Sequence, residues 1–204
     1  MIKPLLPEGH IDLETETIPF SFWSPPIKPI EFQDELIENM KHYKGAGLAA
    51  NQLGYKYSVF SMNHEGNNMV LFNPQIIEES EEYVWEVEGC LTYPGLFIKI
   101  KRPKSLSASW EDANGENFTG YFSDLSARIF LHEMTHIKGE IFYEEASRFH
   151  VQNGRRKRRA QLKKIKYSSP ALWQSHLNNK KQEIITAKTF LKKCQKRNGD
   201  SIRN

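Results

Sequence analysis

The chain has 204 residues, 39% hydrophobic and 26% charged, a balance that supports a packed core and excludes a wholly disordered polypeptide. No stretch approaches the ~18 apolar residues of a membrane span, the N-terminus lacks the apolar run of a secretory signal, and two distant cysteines (Cys90 and Cys194) make no disulfide framework. The net charge of +3 conceals an asymmetry: residues 151–204 hold 16 Lys+Arg against 2 Asp+Glu, a net of +14, while residues 1–150 hold 12 against 23, a net of −11. The expectation is a soluble protein of a reducing compartment, with an acidic body over 1–150 and a basic, helical C-terminal extension over 151–204.

Residues 1–30 are rich in proline, show no helical period and read as irregular chain lying over the body. Residues 31–44 place Phe32, Leu36, Ile37 and Met40 at helical spacing, with acids early and lysines late, and stop at Gly45-Ala46-Gly47. Runs rich in β-branched and aromatic residues follow at Ser58–Met62, Met69–Phe72, Gln75–Val87, Phe97–Ile100, Ser105–Trp110 and Phe118–Phe122. Asn73-Pro74, Tyr93-Pro94-Gly95 and Asn114-Gly115 read as turns between them, the last as the sharpest hairpin signal. A second helix is expected from Ser123-Asp124, which can cap it, to Lys138-Gly139. Helix, many short strands, then helix gives an α+β domain: small antiparallel or mixed sheets around a central helix.

That central helix contains His132-Glu133-Met134-Thr135-His136. Histidines at i and i+4 share a helical face and can hold one metal ion, with the intervening glutamate free to handle protons. A hydrolytic site needs three protein ligands and an open position. Downstream, no histidine appears before His150, and Glu144 and Glu145 lie close behind the motif. Upstream, Glu88-Gly89-Cys90-Leu91-Thr92 offers a thiolate, a donor that suits iron, zinc, nickel or cobalt.

Gly45-Ala46-Gly47-Leu48-Ala49-Ala50-Asn51-Gln52, then Glu88-Gly89-Cys90-Leu91-Thr92, then His132-Glu133-Met134-Thr135-His136 resemble, in that order, the three motifs of the peptide deformylases. The likeness covers roughly residues 30 to 145. Three positions depart from the common pattern: Thr135 stands where aspartate is usual, Thr92 where serine is usual, and Leu131 where glutamine is common. The resemblance implies a hydrolase that removes the formyl group from the N-terminal formyl-methionine of nascent polypeptides. It implies Cys90, His132 and His136 as ligands of one divalent metal, iron(II) natively, with zinc, nickel or cobalt as substitutes. Hydroxide held by that metal would attack the formyl carbon, with Glu133 as general base and acid. The Gln52 side chain and the Leu91 amide would stabilise the oxyanion. Substrate would lie along Gly45, Ala46, Gly47 and Gly89, with Phe97 and Ile129 at a methionine pocket. Glu88, Arg102 and Thr135 would support the ligands from behind, Arg102 by pairing with Glu88.

Residues 155–166 hold eight basic residues without a counter-charge, which attracts polyanions. By resemblance this region would dock a monomeric enzyme on ribosomal RNA, in a bacterial or phage-infected cytoplasm or an organelle, without membrane contact. Residues 171–197 form a further helix candidate. Two other readings compete. One is a metalloprotease of another His-Glu-x-x-His class, which leaves Gln52 and Cys90 without a role. The other is a nucleic-acid-binding protein with a non-catalytic metal site, which leaves Glu133 without one.

Overall fold

The computed structural model describes residues 1–168, and the helix expected over 171–197 lies outside them. Helix α1 (Pro29–His42) starts with proline at its first turn, where the missing N–H costs nothing. It ends with Lys44, not glycine, in the left-handed region at φ 56°. Gly45 and Gly47 are used differently: they lead into β1 (Gly47–Ala49), a three-residue strand too short to leave a sequence pattern.

Strands β2 (Val59–His64), β3 (Asn67–Glu79), β6 (Ser105–Glu111) and β7 (Asn117–Ser123) join β1 in a five-stranded antiparallel sheet of order β1-β2-β3-β6-β7. Strands β4 (Tyr83–Gly89) and β5 (Phe97–Pro103) form a separate antiparallel pair. The run expected over Gln75–Val87 is therefore two strands: Gln75 through Glu79 belongs to β3, and β4 begins at Tyr83. Asn73-Pro74 is not a turn but an irregularity inside β3, where the register to β6 shifts. Asn73 takes φ 50°, held there by the backbone of the N-terminal arm: Oδ1 accepts from Phe20 N at 2.7 Å and Nδ2 donates to Phe20 O at 2.9 Å.

Strand alternation divides the core. Phe60, Met62 and Leu71 point to one face of the large sheet, where helix α2 (Asp124–Ile137) packs with Ala127, Phe130, Leu131, Met134 and Ile137. Val59, Val70 and Phe72 point to the other face, against Phe32, Leu36 and Met40 of α1. The start of α2 at Asp124 falls where expected, but Ser123 makes no side-chain cap bond. Gly139, at φ 72°, closes the helix where the N-terminal chain crosses it, and Thr17 donates its N–H to Ile137 O.

A third cluster (Tyr93, Leu96, Ile98, Ile100 and Phe142) fills the space between β5 and the chain after α2. There α3 (Arg148–Ser168) lies on β5, with Gly154 set against the Phe97 carbonyl and the Ile98 side chain. Position 150/151, where the charge changes sign, lies inside this continuous helix.

Candidate metal centre

Helix α2 is buried almost all round, yet Arg128, His132, Glu133, Thr135 and His136 are polar. Buried charge without a purpose is costly, so this face marks a site. The β4 end and the loop after it bring Cys90 to the same place. The ligating atoms of Cys90, His132 and His136 all lie within 4.8 Å of one another. Cys90 Sγ is 3.1 Å from His136 Nε2.

A divalent metal fits these residues. Burial lowers the His136 pKa well below the usual range, helped by the charges of His132 and Arg102, so its ring is neutral and a lone pair is available. Burial, and then the charge of Glu133, pushes the Cys90 thiol up to about 12. Burial and then the charge of Glu88 push Glu133 up to about 8. Two groups that act as anions are thus both held toward their neutral forms. A bound cation supplies what they lack. Glu133 Oε2 and His136 Nδ1 are also buried without a hydrogen-bond partner.

The support behind the ligands is an ionic cluster on Glu88. Arg102 grips it with two bonds, Nε to Oε1 at 2.6 Å and Nη2 to Oε2 at 3.0 Å. Arg128 Nη1 donates to Oε1 at 2.7 Å. His132 Nδ1 lies 3.0 Å from Oε2; a carboxylate only accepts, so Nδ1 carries the proton and Nε2 is left for a metal. Burial pushes the Glu88 carboxyl up, but the bonds from His132 and Arg102 outweigh it and hold its pKa at about 2. Thr135, where aspartate is the common residue, accepts from Arg102 Nη1 at 3.4 Å and donates to Leu131 O at 2.9 Å. The cluster at Arg102 is completed with a hydroxyl in place of a second carboxylate.

Gln52 is held rigidly. Its Oε1 accepts from Ala49 N at 2.9 Å, and its Nε2 donates to Thr92 Oγ1 at 3.0 Å and lies 3.6 Å from Cys90 Sγ. The Leu91 amide has no acceptor among the described residues. A cleft of about 480 Å³ opens onto the site, lined by Gly45, Ala46, Gly47, Glu88, Gly89 and Leu91 among others. Ile129 forms part of its wall, and Phe97 is 59% exposed at its rim with its ring over Gly89. The residues that the family resemblance gave a metal, catalytic, substrate or supporting role therefore border one cleft or stand directly behind it. His150, Glu144 and Glu145 do not join the cluster, so the downstream ligands considered for other proteases are absent among the described residues.

Three neighbours went unnoticed in the sequence. Arg128 sits one turn before His132, a spacing that could have revealed it. Asn51 Nδ2 donates to His136 O at 2.6 Å, tying the Gly-rich segment to α2. The Phe142 ring lies 5.4 Å from that of His132 and carries no local signal.

The family model described as Polypeptide deformylase matches residues 3–152. The chain belongs to the polypeptide deformylase family. A peptide deformylase of Borreliella burgdorferi is 40% identical over 120 residues, covering 56% of this chain and 73% of that protein. The crystal structure of a plant peptide deformylase superposes with a TM-score of 0.71 at 28% identity, over 83% of this chain and 93% of that one. That of the Thermotoga maritima deformylase gives 0.68 at 28% identity, over 72% and 99%. The deformylase fold thus accounts for the body of the molecule, and neither competing reading draws support from these relatives.

Proposed function

We propose that this deformylase hydrolyses the formyl amide at the N-terminus of nascent polypeptides, with one divalent metal held by Cys90 Sγ, His132 Nε2 and a nitrogen of His136. The observation that carries the reading is the convergence of those donors beside Glu133, whose carboxylate has an unpartnered oxygen in the same cavity. Iron(II) is the native metal on this reading, and the thiolate and imidazole donors also accept zinc, nickel or cobalt. Bound there, the metal polarises the formyl oxygen and lowers the pKa of the attacking water.

The protein's own groups do the rest. Glu133 takes the proton from the attacking water and returns it to the departing amine. Gln52 Nε2, aimed by its bond from Ala49, and the free Leu91 N–H donate to the oxygen that becomes negative. Strands β1 and β4 each present an unpaired edge, and their residues line the two sides of the cleft. An extended substrate backbone adds to these edges at Gly45–Gly47 and Gly89. Its methionine side chain enters between Ile129 and Phe97. Glu88, Arg102 and Thr135 hold His132 in the tautomer that binds metal.

Protein prepared anaerobically with iron(II) is expected to release formate from formyl-Met-Ala-Ser. No formate, despite about one metal per chain as the tetrahedral three-ligand site requires, overturns the reading.

The basic flank of α3 docks the enzyme, as a monomer, on ribosomal RNA. Arg155, Arg156, Lys157 and Arg159 are all exposed, and α3 contains no acidic residue. Replacing these four by glutamine is expected to abolish co-sedimentation with ribosomes at low salt. Undiminished co-sedimentation removes this part of the proposal.

A further inference from the structure

The β4–β5 pair has two unlike faces. Its inner face carries Glu88, Ile98, Ile100 and Arg102, all buried. Its outer face, by the same alternation, carries Tyr83, Trp85 and Val87 on β4 and Phe97, Lys99 and Lys101 on β5. Tyr83 and Trp85 are each 46% exposed and Phe97 59%. Large aromatic rings on a sheet face left about half exposed among the described residues require an explanation. The charges on that face are of one sign. Lys101 pairs with Trp85 across the strands and sets its ammonium 5.1 Å from the Tyr83 ring, and Lys99 pairs with Val87. The nearest acid of β4, Glu86, belongs to the opposite face and engages Arg128.

This face is continuous with α3. The Trp85 ring meets His150 at 5.1 Å, Phe149 beside it is 73% exposed, and Gly154 seats the helix on β5. One surface therefore combines stacking platforms spaced two residues apart along β4, lysines facing them from β5, and the first turn of a basic helix.

We propose that the outer face of β4–β5, with the adjoining flank of α3, binds single-stranded RNA. The proposal rests on the reading of α3 as a polyanion-docking helix and extends it from a charge-driven contact to one that takes unpaired bases. Aromatic rings recognise bases that are free of pairing, since every base has a face to stack, while lysines and arginines follow the phosphates. A duplex hides its base faces and would engage only the helix. The charge complementarity favours a polyanion over a neutral peptide segment on this face.

The test uses the full-length protein and fluorescence anisotropy with a labelled oligouridylate of roughly 12 nucleotides, within the span of such sites, and an RNA duplex of equal length. Trp85→Ala is expected to weaken single-strand binding about tenfold, leaving duplex binding, thermal stability and deformylation of a short formyl peptide unchanged. Trp85→Phe, which keeps a stacking ring, is expected to retain most of the affinity. Lys99→Gln with Lys101→Gln is expected to reduce the salt slope by about 0.7 for each phosphate these lysines neutralise. Unchanged single-strand affinity in Trp85→Ala overturns the proposal. If replacing Arg155, Arg156 and Arg159 by glutamine abolishes both RNA complexes while Trp85→Ala changes neither, α3 docks polyanions but this face does not. Weaker binding in Trp85→Ala with the α3 variant unaffected supports the face and removes the helix reading. If Trp85→Ala leaves RNA binding intact and lowers kcat/KM for long formyl peptides alone, the face serves the substrate chain, and the RNA proposal fails.

Discussion

Cys90 and Glu133 share a difficulty that organises the site. Both are buried and both are pushed toward the neutral form by burial, with the charge of Glu133 further raising Cys90 and that of Glu88 further raising Glu133. The Arg102 charge offsets this only in part at Glu133, because both Arg102 and Arg128 are bonded to Glu88. The space Glu133 needs is made by Gly47, where a Cβ would fall 2.3 Å from Glu133 Oε1. Gly47→Ala must displace that carboxylate, and displacement of about 1 Å costs on the order of 10²-fold in rate. The expected result is a fall of that size in formate release with metal content retained. An unchanged rate would mean that Glu133 does not act from this position.

Glu88 contributes an acid-side pH dependence to the stability of the metal-free protein. Its folded pKa of about 2 lies below its ordinary 4.5. It therefore contributes stability that is present in full above about 4.5 and is lost as pH falls toward about 2. The gap in urea midpoint between wild type and Glu88→Gln should narrow as pH drops from about 6 to about 3. A gap independent of pH would place the ionic cluster outside the stability of the fold. The same variant should bind metal about 10- to 100-fold more weakly, because His132 loses the partner of Nδ1.

Much of this residue-level arrangement could be read from spacing. Histidines four apart on a helix must share a face, and a glutamate between them has little other use in a buried position. Arg128 could have been read from its i, i+4 spacing to His132, whereas Asn51 and Phe142 were not legible because their contacts come from tertiary packing, not from any local period.

At the scale of elements, the join between α3 and β5 is the most instructive. Glycine inside a helix costs about 1 kcal/mol relative to alanine, so Gly154→Ala on an isolated helix would stabilise. Here a Cβ would fall 2.7 Å from the Phe97 carbonyl oxygen and 2.9 Å from Ile98 Cγ1. Backbone cannot yield cheaply, and overpacking costs about 1–3 kcal/mol. The clash exceeds the propensity gain, so Gly154→Ala should lower Tm by about 2–4 °C. It should also raise KM, because Phe97 rims the cleft. A higher Tm would show that α3 does not bear on β5.

The same scale shows where pattern reading fails. Helix α1 and most strands were legible from their periods, and α2, although buried almost all round, from its apolar spacing and its end signals. Asn73-Pro74 looks like a turn in one dimension, but Asn73 borrows the Phe20 backbone to hold a left-handed residue inside β3. Strand β1 exists because Ala49, Leu48 and Gly47 meet Phe60, Ser61 and Met62, a partnership no three-residue window reveals.

At the scale of the whole molecule, the acidic body and the described part of the basic region, residues 151–168, are joined by packing. Helix α3 crosses the charge boundary and packs beside the rim of the cleft. Arg158, half-way along it, pairs with Glu8 of the N-terminal arm at 3.1 Å. The sequence revealed the asymmetry of charge but not this contact. Packing of the basic helix on β5 puts its exposed arginines on the molecule near the cleft, as the proposed RNA contact would require.

The central claim is that Glu133 moves the protons of a metal-dependent deformylation. Its most direct test compares wild type with Glu133→Ala, each loaded anaerobically with iron(II) and assayed for formate from formyl-Met-Ala-Ser. The account predicts equal metal content and a rate reduced about 10²- to 10⁴-fold in the variant, the usual contribution of a positioned acid–base group. Equal metal content with an equal rate would contradict it.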